Sequence, residues 1–227
     1  MSSYTEDGVL VLADISGFTE FVTATALEHG PPIIAGLLEE VIRQLSPPLE
    51  IQEVEGDAVF ALGPDGMLVP RATLLDVLDD AFVAFRNRQR EMQADDSCSC
   101  NACRSVSSLD LKIVAHHGRF LRQLVGGRGQ VAGADVILAH RLLKNGMGRR
   151  PAYLLLTEAV LQWLGIDAAG ADLELHVERY EHLGAVRCFV RNFAEAGSGR
   201  ICGRAPRGVP LQPLLTSTRE GPGEQGQ

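Results

Sequence analysis

Val9 to Ala13 is an unbroken apolar run that stops at Asp14 and meets Gly17 three residues later. A short apolar run bounded by turn signals reads as a buried strand, here residues 8–14. Phe18, Phe21 and Val22 then share one helical face, so a helix over 17–29 follows. Downstream, two apolar runs flank Gly56-Asp57, the signature of a hairpin with strands near 49–54 and 57–62. Asp14 and Asp57 therefore both stand at strand ends, on rigid structure. If the strands are neighbours, the carboxylates converge into a hard, all-oxygen site suited to Mg²⁺ or Mn²⁺. Ser16-Gly17-Phe18 opens the helix, and helix N-terminal N–H groups seat phosphate. Metal beside phosphate is how phosphoryl chemistry is built. Each aspartate also has a plainer reading: Asp14 as a helix cap, Asp57 as an ordinary turn residue.

The rest of the chain alternates helical and strand patterns. Pro31-Pro32 opens a helix that ends before Pro47-Pro48. Leu74, Leu78, Ala81, Phe82 and Phe85 mark a long helix over 71–93. A polar, cysteine-rich loop is expected at 94–108, then an alternating strand at 109–117 with a partner at 119–125 and a turn at Gly126–Gly129. A helix over 134–146 closes at Asn145-Gly146. Strand 152–156, a helix 158–164 capped by Thr157, and strands near 173–180 and 185–192 complete an α+β order. Beyond 195 the chain is rich in Gly, Pro, Ser and Arg without periodicity, so a domain over 1–194 and a disordered tail over 195–227 are expected.

With 227 residues, 45% of them hydrophobic, the chain can bury a full core. A net charge of −8 argues against nucleic acid and against an anionic membrane as partners. No apolar run approaches the roughly 20 residues that span a bilayer. The N-terminal stretch is polar and acidic, unlike a signal peptide, so a cytoplasmic protein is expected. A disulfide framework is then not expected for the five cysteines. Cys98, Cys100 and Cys103 form CxCxxC, which can chelate one Zn²⁺ if a fourth ligand joins. Cys188, Cys202 and one of His116 and His117 are the candidates; the two histidines point to opposite faces of their strand, so only one could serve. The plain alternative is three reduced thiols in a mobile loop.

LADISGFTEF at 12–21, EGDAVFAL at 55–62 and GADVILAHRL at 133–142 together resemble the spaced signatures of class III nucleotidyl cyclases. The cysteine cluster, LKIVAHHG and AHRLLKN more narrowly resemble a small bacterial family of unknown function related to adenylate cyclases. The resemblance implies a ferredoxin-like mixed sheet covered by helices. It implies that Asp14, Asp57 and the backbone carbonyl of Ile15 hold Mg²⁺ or Mn²⁺, that Gly17, Phe18 and Thr19 contact nucleotide, and that Arg141 clamps phosphate in the transition state. Read without it, Arg141 is a solvated helix arginine. The resemblance also locates departures. Glu53 stands where the family has its purine-reading lysine, Gln130 where that lysine has its aspartate partner, and Ile137 where an asparagine orients the ribose. The family's late triphosphate-binding lysine has no match in residues 180–188. The metal half is kept and the base-reading half is altered. A divergent cyclase homologue follows, binding a divalent metal and a nucleoside triphosphate, with weak or lost purine cyclase activity. It would be a homodimer in which Asp14 and Asp57 face Arg141 of the other chain. The alternatives are a non-catalytic dimeric regulatory domain and a cysteine-based metal or redox sensor on the same scaffold.

Overall fold

The apolar run becomes strand β1, Tyr4–Ser16. Val9 through Ala13 are all buried, because both faces of the strand are covered; this is why its sequence is continuous rather than alternating. The computed structural model describes residues 3–67, 71–94, 98, 100–148, 150 and 152–193. The expected tail at 195–227, with Cys202, lies outside them.

The strands are β1, β2 (Glu50–Glu55), β3 (Ala58–Pro64), β4 (Asp110–Val125), β5 (Arg128–Ala132), β6 (Tyr153–Thr157), β7 (Glu174–Tyr180) and β8 (Gly184–Asn192). They form one sheet in the order β2-β3-β1-β4-β6-β8-β7, with β5 paired to the far half of β4. The β4–β6 pair is parallel and the others antiparallel, giving the expected mixed sheet. The helices are α1 (Phe18–Thr23), α2 (Gly30–Leu45), α3 (Thr73–Ala94), α4 (Asn101–Ser105), α5 (Ala134–Leu143) and α6 (Glu158–Leu164). On one face, Val9, Val11, Ala13, Ile113 and Leu154 pack with Leu37, Val41, Leu78, Phe85 and Val160 of α2, α3 and α6. The other face carries α5, whose Val136 and Ala139 meet Leu10, Leu12, Phe60 and Phe120, and whose Leu138 and Leu142 meet Val114 and Leu155.

Four expectations are corrected. The helix expected at 17–29 stops after Thr23. The Thr23 hydroxyl donates back to the carbonyls of Thr19 (2.8 Å) and Glu20 (3.1 Å), and Ala24 N–H makes the last bond of the helix, to Glu20, at 3.1 Å. A turn follows, closed by Gly30 N–H on the Ala26 carbonyl at 2.9 Å. Helix 134–146 ends at Leu143, where Asn145 Nδ2 caps the Leu142 carbonyl at 2.9 Å. The cysteine segment is not all loop: it contains α4 and a 3₁₀ turn at Val106–Ser108, with Ala102 and Val106 buried. Buried Gln89 pins it, donating to the carbonyls of Val106 (2.6 Å) and Leu109 (2.8 Å). Strands 109–117 and 119–125 are one strand, β4, running through Gly118, and the partner of its far half is β5. Gly118 does not bend the chain; it lets α5 come close. A Cβ at 118 would lie 2.4 Å from the Asp135 carboxyl carbon.

Strand β2 carries one irregularity. Ile51 pairs with Ala61, yet Glu53 pairs with Phe60, so Gln52 is an extra residue in a β-bulge.

The Gly118 contact gives a test. Asp135 accepts from Arg119 N–H at 2.8 Å and faces His116 Nε2 at 3.2 Å, so it cannot step aside freely. Gly118→Ala should destabilise the fold by about 1–3 kcal/mol in urea unfolding. Adding Asp135→Ala should make the two costs less than additive; strict additivity would show that the close approach is not the cause.

Candidate functional site

The pairing of β3, β1 and β4 builds the site. Asp14 stands opposite Ala58 on β3 and Lys112 on β4, and Lys112 stands beside Tyr153 on β6. Ile15 N–H donates to the Asp57 carbonyl at 3.0 Å, which holds the Gly56-Asp57 turn against the end of β1. Asp14, Lys112 and Tyr153 thus share the face that carries α5. Lys112 Nζ is 2.8 Å from Asp14 Oδ2, with side chains only 21% and 14% exposed. Tyr153 Oη accepts from Asn145 Nδ2 at 2.8 Å, and burial pushes its phenol upward. Asp57 is pushed up to about 6, first by burial and then by the charge of Asp14; Lys112 offsets only part of this. Two carboxylates and one ammonium at a half-buried strand end leave an excess negative charge, a natural cation site.

A cleft of about 1320 Å³ opens from this point, lined by Asp14, Ile15, Asp57 and Lys112, by Gly17, Phe18 and Thr19 of the α1 entry, and by Ser105, Ser108 and Arg150. Gly17 makes the turn into α1 with φ of 87°, and no side chain caps that helix, so Asp14 is not its cap. A second cleft of about 790 Å³ shares Asp14, Asp57 and Lys144 and adds Glu53, Ile137, Arg141 and Tyr180. Arg141 was expected to reach Asp57 only from a partner; both line this cleft within one chain. Its guanidinium lies 5.9 Å from the centre of the Tyr180 ring. Gln130 sits on β5 opposite Gln123 and lines neither cleft.

Lys112, Tyr153 and Arg150 are among the polar residues of the larger cleft that escaped sequence reasoning. Lys112 left a signal, a lone lysine inside the buried alternation Leu111-Lys112-Ile113. Tyr153 and Arg150 left none. Arg150 forks onto Glu174 with two bonds of 2.7 Å.

The cysteines gather with an unforeseen partner. Cys98 Sγ is 3.8 Å from His29 Nδ1, Cys100 Sγ is 3.5 Å from Cys103 Sγ, and the four donors all lie within 4.8 Å of one another. The backbone N–H of Cys103 lowers the Cys100 thiol to about 7, while the hydrogen bond it shares with Cys100 pushes the Cys103 thiol upward. Among the described residues, the expected fourth ligands are elsewhere, and Cys202 lies outside them. His116 is buried between Thr157 Oγ1 (2.9 Å) and Asp135 Oδ1 (3.2 Å); desolvation lowers its pKa and outweighs the Asp135 carboxylate. His117 contacts Asp65 at 3.2 Å and stacks on Trp163. Cys188 is fully buried, which pushes its thiol up to about 12.

The profile of a family described as "Protein of unknown function (DUF2652)" matches residues 34–150. The chain belongs to that family. An uncharacterized protein of Mycobacterium tuberculosis, Rv2561/Rv2562, is 35% identical over 131 residues, which are 58% of this chain and 60% of that protein. The match thus spans about 60% of the length of that curated relative. Among solved structures, the guanylyl cyclase Cya2 superposes with a TM-score of 0.68 at 14% identity, over 89% of this chain and 100% of that one. The adenylyl cyclase CyaB from P. aeruginosa gives 0.67 at 14% identity, again over 89% and 100%. The fold is that of class III cyclase domains, as the motifs implied. The DUF2652 match includes Asp57, the three cysteines, Lys112 and Arg141; Asp14 and His29 lie before it. No helix among the described residues is long and apolar enough to cross a membrane.

The Asp57 environment sets a pH dependence. Its folded pKa of about 6 lies above the ordinary 3.8, so ionised Asp57 costs stability at pH 7 and that cost fades as pH falls toward 4. Solvent reaching this half-exposed group holds the cost to about 1 kcal/mol. Asp57→Asn should therefore raise the Tm at pH 7 by about 2–4 °C and by much less at pH 4. A thermal melt at pH 7 showing a loss would contradict it.

Proposed function

We propose that the larger cleft binds a divalent cation with the triphosphate of a nucleotide, and that the protein is a divergent nucleotidyl cyclase homologue with weak or lost purine cyclase activity. The juxtaposition of Asp14 and Asp57 at the end of β1, with Lys112 between the β1 and β6 sides, carries this reading. The donor set fits Mg²⁺ or Mn²⁺: it is all oxygen, and it holds a carboxyl whose pKa is raised first by burial and then by a like charge that a dication would relieve. Asp14, Asp57 and the Ile15 carbonyl would hold the ion, which would supply charge neutralisation at phosphate and a lowered pKa for an attacking hydroxyl. Lys112, released from Asp14 by such an ion, is placed to pair with phosphate, as is Arg141 from the other cleft.

Base recognition is the altered half. Glu53 puts a carboxylate into the smaller cleft, Ile137 offers no hydrogen bond there, and Gln130 is outside it. ATP and GTP cyclisation should fall far below a typical enzyme rate of about 10 per second. Incubation with each triphosphate and Mn²⁺, followed by mass spectrometry for cyclic product, checks this; turnover near that rate would show base reading to be compensated. Mn²⁺ affinity should drop at least tenfold in Asp14→Ala, and in the wild type it should weaken as pH falls below about 6, where Asp57 takes up a proton. An unchanged affinity in Asp14→Ala would remove the metal site.

The assembly proposed is a homodimer on the cyclase plan, joined over the outer face of α5, where Ile137 is 53% exposed beside exposed His140 and Arg141. Mixing Asp57→Ala with Arg141→Ala chains distinguishes two arrangements. Recovery of metal-dependent nucleotide binding means the halves come from different chains. No recovery means that Asp57 and Arg141 of one chain work together, as their shared cleft suggests. The second function reading, a non-catalytic regulatory domain on this fold, is favoured by Glu53 and Ile137; it predicts binding without product in the same assay.

A further inference from the structure

We propose that Cys98, Cys100, Cys103 and His29 form a closed tetrahedral Zn²⁺ site that staples the α1–α2 connection to the cysteine segment and thereby fixes one wall of the larger cleft. This does not depend on what the cleft binds.

The distances fit zinc. Bond lengths of about 2.3 Å to sulfur and about 2.0–2.1 Å to nitrogen in a tetrahedron separate the ligand atoms by about 3.4–3.8 Å. Cys100 and Cys103 sulfurs are 3.5 Å apart, and Cys98 Sγ and His29 Nδ1 are 3.8 Å apart. The remaining separations stay within 4.8 Å, so small side-chain rotations close the set. Local structure explains the preorganisation. Cys100 is the N-cap of α4 and Cys103 lies in its first turn, so the two thiols share one side of the helix start. His29 is the N-cap of α2, held at that end by the turn from Ala26. Four protein donors leave no open position, which is the pattern of a structural rather than a catalytic zinc. Three sulfurs and an imidazole are also soft, so this site and the all-oxygen aspartate pair select different ions.

The position of the cluster gives it a consequence. Asn101 Nδ2 already donates to the Ala24 carbonyl at 3.0 Å, so the cysteine segment and the end of α1 touch. Ala24 and Thr25 line the larger cleft from one side of this contact, Ser105 and Ser108 from the other. A Cβ on Gly17 would sit 3.2 Å from the Ser108 carbonyl, which places the segment directly against the turn that follows Asp14. Zinc binding His29 and the three thiols would join both sides of this wall by bonds stronger than the Asn101 hydrogen bond.

The test uses the full chain purified without chelator. Elemental analysis should find about one zinc per chain, and Co²⁺ in its place should give the tetrahedral visible bands and thiolate charge transfer of an S₃N set. His29→Ala should retain zinc at least tenfold less well against a competing chelator. His29→Cys should hold one metal with an S₄ cobalt spectrum, which separates loss of a ligand from loss of fold. Removing zinc should speed hydrogen exchange at residues 24–29 and leave β1 and β6 unchanged. A metal-free protein with three freely titrating thiols, or zinc held equally well by His29→Ala, overturns the site. Exchange at 24–29 that ignores zinc overturns the staple. None of these readouts needs nucleotide, so their failure leaves the aspartate site standing.

Discussion

Everything at the candidate site depends on the pairing of β3, β1 and β4. That register brings Asp57 and Asp14 together and sets Lys112 beside them. The carboxylates cannot separate by sliding, because a one-residue slip would turn Val9, Val11 and Ala13 out of one core and Leu10 and Leu12 out of the other. The apolar packing of β1 on both faces therefore holds like charges at close quarters, and the pKa of Asp57 is raised first by burial and then by the neighbouring charge of Asp14. Lys112 relieves Asp14 by a direct ion pair, and Asp57 is left with the larger share of the uncompensated charge.

Much of this was legible in the residues. The strand that carries Asp14, the hairpin that turns at Asp57 and the long third helix follow from apolar runs, Gly-Asp chemistry and 3.6-residue spacing, all of them local. What escaped was long-range. Gly118 looked like a strand end because its purpose, room for the Asp135 carboxylate, belongs to a helix 16 residues later. The early end of α1 left no mark in the apolar pattern, which alone continues the helix past Thr23. His29 was invisible as a partner of Cys98 because 69 residues separate them. Lys112 was visible as an oddity, a lysine in a buried strand, but its meaning required knowing that Asp14 is its neighbour across the ladder.

Two donor sets of opposite character flank one cleft. The hard set grows from the sheet, on backbone fixed by ladders on both sides of β1. The soft set grows from the beginnings of two helices, α2 and α4, and from Cys98. Its geometry rests on fewer fixed contacts, chiefly buried Ala102 and Val106 and the Gln89 amide. The aspartate pair is thus built into the most constrained part of the molecule, and the cysteine cluster into a part whose order a ligand can still change.

The bulge at Gln52 divides the edge strand into two zones with separate duties. Ile51 faces the helix-packed core. By strict alternation Glu53 would follow it there; the extra residue instead sends Glu53 to the cleft side, opposite Phe60. A charge at 53 is thereby insulated from the interior, and so is whatever replaces it. Lineages sharing this kink could rewrite the sign and hydrogen-bonding character of the smaller cleft by exchanging a single solvent-facing residue, while the hydrophobic half of the same strand continues to anchor the hairpin. The residue at that position is free to change without unfolding the protein.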